Sequence, residues 1–203
     1  QIKKIEIMKK LFLLLTLSLC MLSCDKAKEE KTQEKKEPKK EIALNDDIQD
    51  TFFGVKFGAS REEVIDAFQK QGLHLDKRFS TNDFLQFLPC GRYFSFGGMS
   101  WGCVNVFLSN GKFWAINFNE TTENKETALE GYESVLANVA SKYKVAELPI
   151  EDENLYKKSG GATKDGRYIV IACHKGESFS GEMRYYFGLE YGNPNLRGVS
   201  NEL

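Results

Sequence analysis

The Asn110-Gly111 dipeptide, which lies between two apolar runs, constrains the fold of this chain more than any other sequence feature. Asn-Gly favours the positive φ angles of a type I′ turn, and such a two-residue turn joins neighbouring antiparallel strands. The flanking runs 104–108 and 112–118 are then predicted to pair Ser109 with Lys112, Phe107 with Trp114, Asn105 with Ile116, and Cys103 with Phe118. Both faces of this hairpin carry apolar residues, so we expect it to be central in a sheet that is covered on both sides, at least in part.

Two segments carry helical signals. Ser60 and Glu63 form a capping-box pattern, and Gly72 is a left-handed stop, so a helix is predicted over residues 61–71. A second helix is predicted over residues 125–143, because apolar residues recur there at spacings of three and four: Leu129, Tyr132, Leu136, Val139 and Tyr143. We interpret this stripe as a face packed on the core rather than as a groove-binding face.

Short apolar or alternating runs predict further strands at residues 84–88, 93–96, 168–173 and 183–191, and the polar stretch 147–164 is interpreted as a connection. The order of helix, strands, helix and strands is typical of an α+β domain in which two helices pack on an antiparallel β-sheet. Two α–β half repeats are an open alternative, although the halves show no sequence self-similarity.

The N-terminal segment has the pattern of a secretory signal, in which the basic residues Lys9 and Lys10 precede the apolar run 11–19. It resembles the type II signal peptide of bacterial lipoproteins, which implies that residues 8–23 are removed and that Cys24 becomes the lipidated, palmitate-bearing N-terminus. Met21 and Leu22 depart from the usual lipobox. An uncleaved anchor is the alternative, but the apolar run is shorter than the roughly 20 residues that a membrane span requires.

Lys and Glu dominate residues 25–41, so residues 24–42 are predicted to be a lipidated Cys followed by a disordered tether. The acidic residues after Cys24 resemble the surface-export signals of Bacteroidota-type lipoproteins, which leaves a periplasmic and a surface-facing location as alternatives. A single domain over 43–194 and a C-terminal tail over 195–203 complete the predicted organisation. The formal charge of −1 at pH 7 excludes a general electrostatic attraction to nucleic acid.

A second resemblance covers residues 51–144. The segments FGVKFGASREEV (53–64) and FGGMSWGCVNVF (96–107), followed by Asn110-Gly111 and a Tyr-bearing helix, resemble a group of small Bacteroidota-type lipoproteins. The helix-on-sheet layout of that group is similar to folds of the β-lactamase-inhibitor-protein and BamE type. The resemblance implies an address in the cell envelope, at the outer membrane, and contacts with proteins rather than catalysis.

The domain contains three cysteines: Cys90, Cys103 and Cys173. In an exported protein Cys90 and Cys103 are candidates for a disulfide, and the alternative is that all three are buried thiols that act as small apolar residues. Cys173 with His74 as a base is the candidate pair for a thiol enzyme. His174 is poorly placed for that role, because neighbouring residues of a strand point to opposite faces.

Other chemistry has little support in the sequence. Three consecutive acidic residues, Glu151 to Glu153, are candidate calcium ligands, but they lack the spacing of an EF-hand and are better explained as a solvated loop. Glu62 and Glu63 are explained by the favourable position of acidic residues at a helix N-terminus. We therefore predict no catalytic residue, no metal site and no cofactor.

The Gly- and Ser-rich loops 96–102 and 175–181 carry Met99, Trp101 and Phe179, which are candidates for a binding surface. The alternative is tight turns whose aromatic residues face the core. Together these features favour a lipid-anchored, non-catalytic binding module of the bacterial cell envelope, whose partner is an envelope protein, peptide or glycan and not a nucleic acid. An envelope hydrolase or thiol enzyme that uses Cys173 and His74 is the alternative function.

Overall fold

A large β-sheet with two helices on one face makes up most of residues 42–150, 152–178 and 181–198, which this computed structural model describes. The elements, in chain order, are β1 (Ala43–Asn45), β2 (Thr51–Phe52), β3 (Val55–Lys56), α1 (Arg61–Lys70), β4 (Leu73–Leu75), β5 (Phe84–Pro89), β6 (Phe94–Phe96), β7 (Met99–Trp101), β8 (Cys103–Ser109), β9 (Lys112–Thr122), α2 (Lys125–Ala140), β10 (Ala146–Glu147), β11 (Leu155–Thr163), β12 (Tyr168–Glu177) and β13 (Met183–Gly192). A 3₁₀ helix (Pro194–Leu196) follows β13.

Nine of these strands form one sheet with the spatial order β1-β11-β12-β13-β9-β8-β5-β4, and β10 also pairs with β11. The pairing of β1 with β11 is parallel, and the other pairs in this sheet are antiparallel. The predicted α+β class, with two helices and a mostly antiparallel sheet, is confirmed, but the sheet is larger than predicted. Strand β6, predicted over 93–96, pairs with β7 in a separate two-stranded ribbon.

The Asn-Gly turn joins β8 to β9 as the sequence predicts. Asn110 has a φ of 51° and Gly111 has a φ of 71°, and a type I′ turn needs positive values at both positions. The predicted pair of Ser109 with Lys112, directly beside the turn, is confirmed.

A β-bulge then shifts the register of this hairpin by one residue. Leu108 pairs with Phe113, whereas Phe107 pairs with Ala115, so Trp114 is the extra residue on β9. Side chains alternate between the two faces of a strand. The shift therefore places every later residue of β9 on the face opposite to the one that the unshifted hairpin predicts. Three predicted pairs are therefore wrong by one position: Phe107–Trp114, Asn105–Ile116 and Cys103–Phe118.

Both predicted helices are present, and both end earlier than predicted. Helix α1 begins with the predicted capping box, in which the Ser60 hydroxyl accepts from the Glu63 N–H at 3.3 Å and the Glu63 carboxylate accepts from the Ser60 N–H at 2.7 Å. It ends at Lys70 rather than residue 71, and Gly72 has the expected positive φ of 78°.

Helix α2 ends at Ala140 instead of residue 143, because the next residues are drawn towards β1. The Lys144 N–H donates to Asn45 Oδ1 at 2.7 Å, and Asn45 Nδ2 donates to the Lys144 carbonyl at 2.9 Å. The buried residues of α2 are Ala128, Tyr132, Val135 and Val139, whereas the predicted stripe members Leu129, Leu136 and Tyr143 are only partly buried.

The inner face of the sheet, defined as the face that contacts both helices, is apolar. One cross-strand row from β5 to β11 consists of buried residues: Phe87, Val104, Phe118, Leu189, Ile171 and Ser159. At one end the ring of Phe87 lies 4.9 Å from that of Phe68 on α1. At the other end the hydroxyls of Tyr132 on α2 and Ser159 are 2.7 Å apart. The two helices therefore cover the same face.

Strand β11 lies within the stretch 147–164, whose polar composition predicts a connection, and that prediction is wrong for 155–163. Lys157, Lys158, Gly160 and Gly161 have low β-propensity, so no local pattern predicts this strand. Its pairing with β12 places it in the sheet, and a Cβ on Gly160 would lie only 2.6 Å from the Ile169 carbonyl oxygen. Tertiary packing rather than local preference therefore determines β11.

Candidate functional site

The outer face of the sheet, which points away from both helices, is polar along its central strands. Gln86, Asn105, Asn117 and Glu190 pair in turn across β5, β8, β9 and β13. Neighbouring strands are about 4.8 Å apart, so these side chains extend over roughly 14 Å. We call these four residues the polar row.

At one end of the polar row, Asn105 is held in place by two donors. Gln86 Nε2 and the Cys103 thiol both donate to Asn105 Oδ1, each at 3.3 Å. Asn105 is only 7% exposed, and its Nδ2 has no hydrogen-bond partner among the residues that the structure describes. The orientation of this amide is thus fixed while one donor group stays unused.

At the other end, Asn117 and Glu190 form a second pair. Asn117 Nδ2 donates to Glu190 Oε2 at 3.4 Å, and the Tyr168 hydroxyl donates to Glu190 Oε1 at 2.6 Å. Burial raises the pKa of the Glu190 carboxyl. Burial and the nearby Glu190 raise the pKa of the Tyr168 hydroxyl as well.

Asn117 Oδ1 is buried and accepts no hydrogen bond within the described ranges. A buried acceptor without a partner destabilises a protein by about 1–3 kcal/mol. Most such groups in folded proteins are paired with protein, water or ligand atoms. The polar row therefore has a place for a donor group beside Asn117.

Aromatic rings border the polar row on one side. Phe84 and Phe107 have ring centroids 5.5 Å apart, and Phe107 lies 6.0 Å from Trp114. Tyr168 continues this border on β12 and lies over Gly192, where a Cβ would be 2.5 Å from Tyr168 Cε1. Gly192 thus leaves the space in which the Tyr168 ring reaches Glu190.

On the other side of the polar row, His174 and Tyr186 pair on β12 and β13, and their rings stack at 5.2 Å with an interplanar angle of 11°. Burial lowers the pKa of His174, so its neutral form is favoured. Tyr186 is four residues from Glu190 along β13, a distance of roughly 14 Å.

Asn119 lies between the polar row and this aromatic pair. It pairs with Gly188, and a Cβ on Gly188 would be 2.6 Å from Asn119 Oδ1, so the Asn119 side chain extends across the glycine. The Asn119 side chain has no hydrogen-bond partner in the described part of the chain. We call the polar row together with Asn119, Tyr168, His174 and Tyr186 the outer-face site.

The charge at the centre of this site comes from Glu190, the one ionisable side chain of the polar row. Lys158 and Arg197 both lower the pKa of Glu190, but their effect is smaller than that of burial. The polar row itself therefore carries oxygen acceptors and amide donors, while Lys158 lies beside it on the outer face, opposite Ala172 of β12.

The three thiols of the domain are free: Cys90 is exposed, Cys103 is partly buried and Cys173 is buried. The structure therefore lacks the disulfide between Cys90 and Cys103, and the Cys103 thiol is engaged instead by the side chains of Gln86 and Asn105. Burial raises the pKa of Cys103 to about 12 and that of Cys173 to about 11. Both thiols are protonated at neutral pH, which makes them poor nucleophiles.

The candidate pair of Cys173 and His74 does not come together. Cys173 is 0% exposed on the inner face of β12, whereas His74 is exposed on the edge strand β4. Strands β13, β9, β8 and β5 lie between them, which corresponds to roughly 24 Å. His174 points to the outer face, as the alternation argument predicts, and the catalytic alternative has no geometric support at these residues.

The predicted binding surface is corrected at Trp101, which is 0% exposed. Its indole N–H donates to the Phe96 carbonyl at 3.0 Å, and its ring lies 5.9 Å from that of Phe118. The β6–β7 ribbon folds Trp101 into the core, so the alternative of a tight turn with a core-facing aromatic is correct here. Met99 packs partly buried against the core, and Phe179 lies outside the described residues.

The other candidate sites are structural or lie outside the described ranges. Glu151 and Cys24 are not among the described residues, and the Asp152 carboxylate accepts from the Asn154 N–H at 2.7 Å. Within the described ranges, no three His, Cys, Asp or Glu side chains are grouped so that they could hold a metal ion.

A second polar cluster surrounds Arg167. Its Nη1 donates to Asp47 Oδ1 at 2.7 Å and to the Ile48 carbonyl at 2.8 Å, and its Nε donates to Asp165 Oδ2 at 3.0 Å. These contacts fasten the segment after β1 to the turn between β11 and β12, so we interpret the cluster as structural.

Sequence reasoning missed the outer-face site, although the alternating pattern of residues 183–191 does place Glu190 opposite the apolar side of that strand.

The chain matches no known protein-family model, no curated protein and no solved structure. None of the described helices is long and apolar enough to span a membrane.

Proposed function

We propose that this protein is a lipid-anchored, non-catalytic binding module of the bacterial cell envelope, located at the outer membrane and facing the periplasm or the cell surface. The observation that carries this proposal is the outer-face site, where polar and aromatic side chains lie on the sheet face opposite both helices. Aromatic rings and polar groups beside one another suit an envelope protein, peptide or glycan as partner.

The anchoring part of the proposal rests on the sequence around Cys24. If that thiol accepts the lipid, Cys24→Ser abolishes incorporation of labelled palmitate and moves the protein out of the membrane fraction. Undiminished labelling of the variant would refute the anchor.

We also propose that the domain consists of two α–β half repeats, similar to folds of the β-lactamase-inhibitor-protein and BamE type. Helix α1 precedes the strands β4, β5, β8 and β9, and α2 precedes β11, β12 and β13. Each set forms an antiparallel meander that ends at the centre of the sheet, where β9 pairs with β13. This arrangement supports the half-repeat interpretation at the level of topology.

Site-specific photo-crosslinking tests the binding function. A photo-reactive amino acid at Thr121, which is exposed on the outer face beside Tyr186, should form an adduct in intact cells. The same amino acid at Asn138, which is exposed on α2, is the matched control. Equal adduct formation at both positions, or none at Thr121, would refute a binding role for the outer face.

A further inference from the structure

We infer that the outer-face site binds a neutral glycan. This inference rests on the proposed binding function and specifies the chemical class of its ligand. Three features of the site support a neutral glycan: its unused hydrogen-bonding groups, its charge and the placement of its rings.

The unused groups include both donors and acceptors within a short distance. Within the described ranges Asn117 Oδ1 is a buried acceptor without a partner. Asn105 Nδ2 makes no hydrogen bond to the same part of the chain, and the bonds of this side chain are to its Oδ1. The amide of Asn119 offers one more donor and one more acceptor. A hydroxyl group donates one hydrogen bond and accepts others, so a ligand rich in hydroxyl groups can donate to Asn117 Oδ1 and accept from the amide nitrogens of Asn105 and Asn119.

The charge of the polar row is complementary to a neutral ligand. An anionic ligand would place its negative charge against the acceptor oxygens of Glu190 and Asn117. Lys158 and Arg197, the cations that act on Glu190, lie beside the polar row and not in it. A compact cation would pair with those oxygens but would leave the amide donors of Asn105 and Asn119 unsatisfied. Neutral hydroxyl groups have neither disadvantage.

The aromatic residues lie where an extended glycan needs them. Tyr168 and the stacked pair of His174 and Tyr186 flank the polar row, and Tyr168 and His174 are six positions apart on β12, which corresponds to roughly 20 Å. A sugar ring has apolar C–H faces and hydroxyl groups at its edges, and aromatic side chains can pack against those apolar faces. A site of this length fits an oligosaccharide better than a single sugar.

A peptide ligand fits this site less well. Extended peptides that bind a sheet usually add to an edge strand through backbone hydrogen bonds. Here the edge strands β1 and β4 have three residues each and β10 has two, and the unused groups are side-chain amides on the face of central strands. We therefore treat peptide binding as a competing result of the test.

The experiment applies the full chain to an array of neutral and anionic glycans, followed by titration calorimetry with the neutral oligosaccharide that binds best. We expect binding to neutral glycans, and we expect Asn117→Ala to weaken it by about tenfold, the effect of losing one buried hydrogen bond. Asn138→Ala removes an exposed Asn on the opposite layer and should leave affinity unchanged.

A second measurement needs no variant. In wild-type protein, addition of the same oligosaccharide should shift the side-chain amide NMR signals of Asn105, Asn117 and Asn119 but not that of Asn138. The inference is overturned if only anionic glycans bind, if no glycan binds, or if the shifts map elsewhere. If a Thr121 adduct forms and proves to be a peptide, the glycan inference fails while the binding function stands. If no glycan binds and no Thr121 adduct forms, the glycan inference and the binding function both fail.

Discussion

Replacement of Gly131 by alanine tests how tightly α2 packs on the sheet. Gly131 lies within α2, and a Cβ at this position would be 2.5 Å from Cε1, 2.6 Å from Cζ and 2.7 Å from Cδ1 of Phe187. Carbon atoms normally approach to about 3.5–4.0 Å, so the ring or the helix has to move by about 1 Å. Phe187 is buried beside Trp101, with ring centroids 6.1 Å apart, which restricts that movement.

Two opposing effects determine whether Gly131→Ala stabilises or destabilises the domain. Alanine stabilises a helix interior by about 1 kcal/mol relative to glycine. Overpacking a core costs about 1–3 kcal/mol, and a clash with three ring carbons belongs at the upper end of that range. We therefore expect Gly131→Ala to lower the free energy of unfolding by about 1–2 kcal/mol, which lowers the Tm of a domain of this size by roughly 2–8 °C.

Urea denaturation followed by circular dichroism measures the effect, and a double-mutant cycle identifies its cause. In a Phe187→Leu background the clash is relieved, so Gly131→Ala should become neutral or stabilising. The control Ala137→Gly, at an exposed position of α2, should cost about 1 kcal/mol through helix propensity alone. If Gly131→Ala raises stability in the wild-type background, the close contact with Phe187 is wrong.

Three further predictions follow from burial. Trp101→Ala should destabilise the domain by about 3–5 kcal/mol in urea denaturation, since the indole is fully buried, and a cost below about 1 kcal/mol would contradict its core position. Cys90 should react with a maleimide in the native state, whereas Cys173 should react only after unfolding; labelling of Cys173 at the rate of Cys90 would contradict its burial. Burial raises the pKa of Glu190 in the folded state, so the folded protein binds this proton more tightly than the unfolded chain does. The resulting stabilisation is complete below the ordinary carboxyl pKa and is lost as the pH rises through the raised pKa. Glu190→Gln should therefore gain stability relative to wild type as the pH rises above the ordinary carboxyl pKa of about 4, measured as unfolding free energy, and a difference that does not change with pH would refute the raised pKa.

Local chemistry made part of this fold predictable. The Asn110-Gly111 turn and the capping box of Ser60 and Glu63 depend on residues next to one another in sequence, and both were predicted correctly. The bulge at Trp114 depends on distant residues: the Asn193 N–H donates to the Trp114 carbonyl at 2.8 Å, and the Arg197 guanidinium lies 5.2 Å from the Trp114 ring. No pattern within the hairpin reports these contacts.

The same bulge explains why the candidate site was not predicted. In the unshifted register Asn105 faces Ile116, and the polar row does not exist. With one extra residue at Trp114, Asn105 pairs with Asn117, and Asn119 joins the same outer face. Glu190 enters the row only through the pairing of β13 with β9, which no short-range signal determines. Sequence reasoning therefore identified the elements but not the register that assembles the site.

The strand order described above also has a consequence for the order of folding. Neighbouring strands within each meander are close in sequence; Ser109 and Lys112, for example, pair across one turn. The central pairing of β9 with β13 joins residues as distant as Ala115 and Gly192, which are 77 positions apart (192 − 115). Closing a long loop costs entropy before its contacts form, so non-local pairings are the slow step of folding. The two meanders should therefore gain structure first, and the transition state for the whole domain should lie at the joining of β9 to β13.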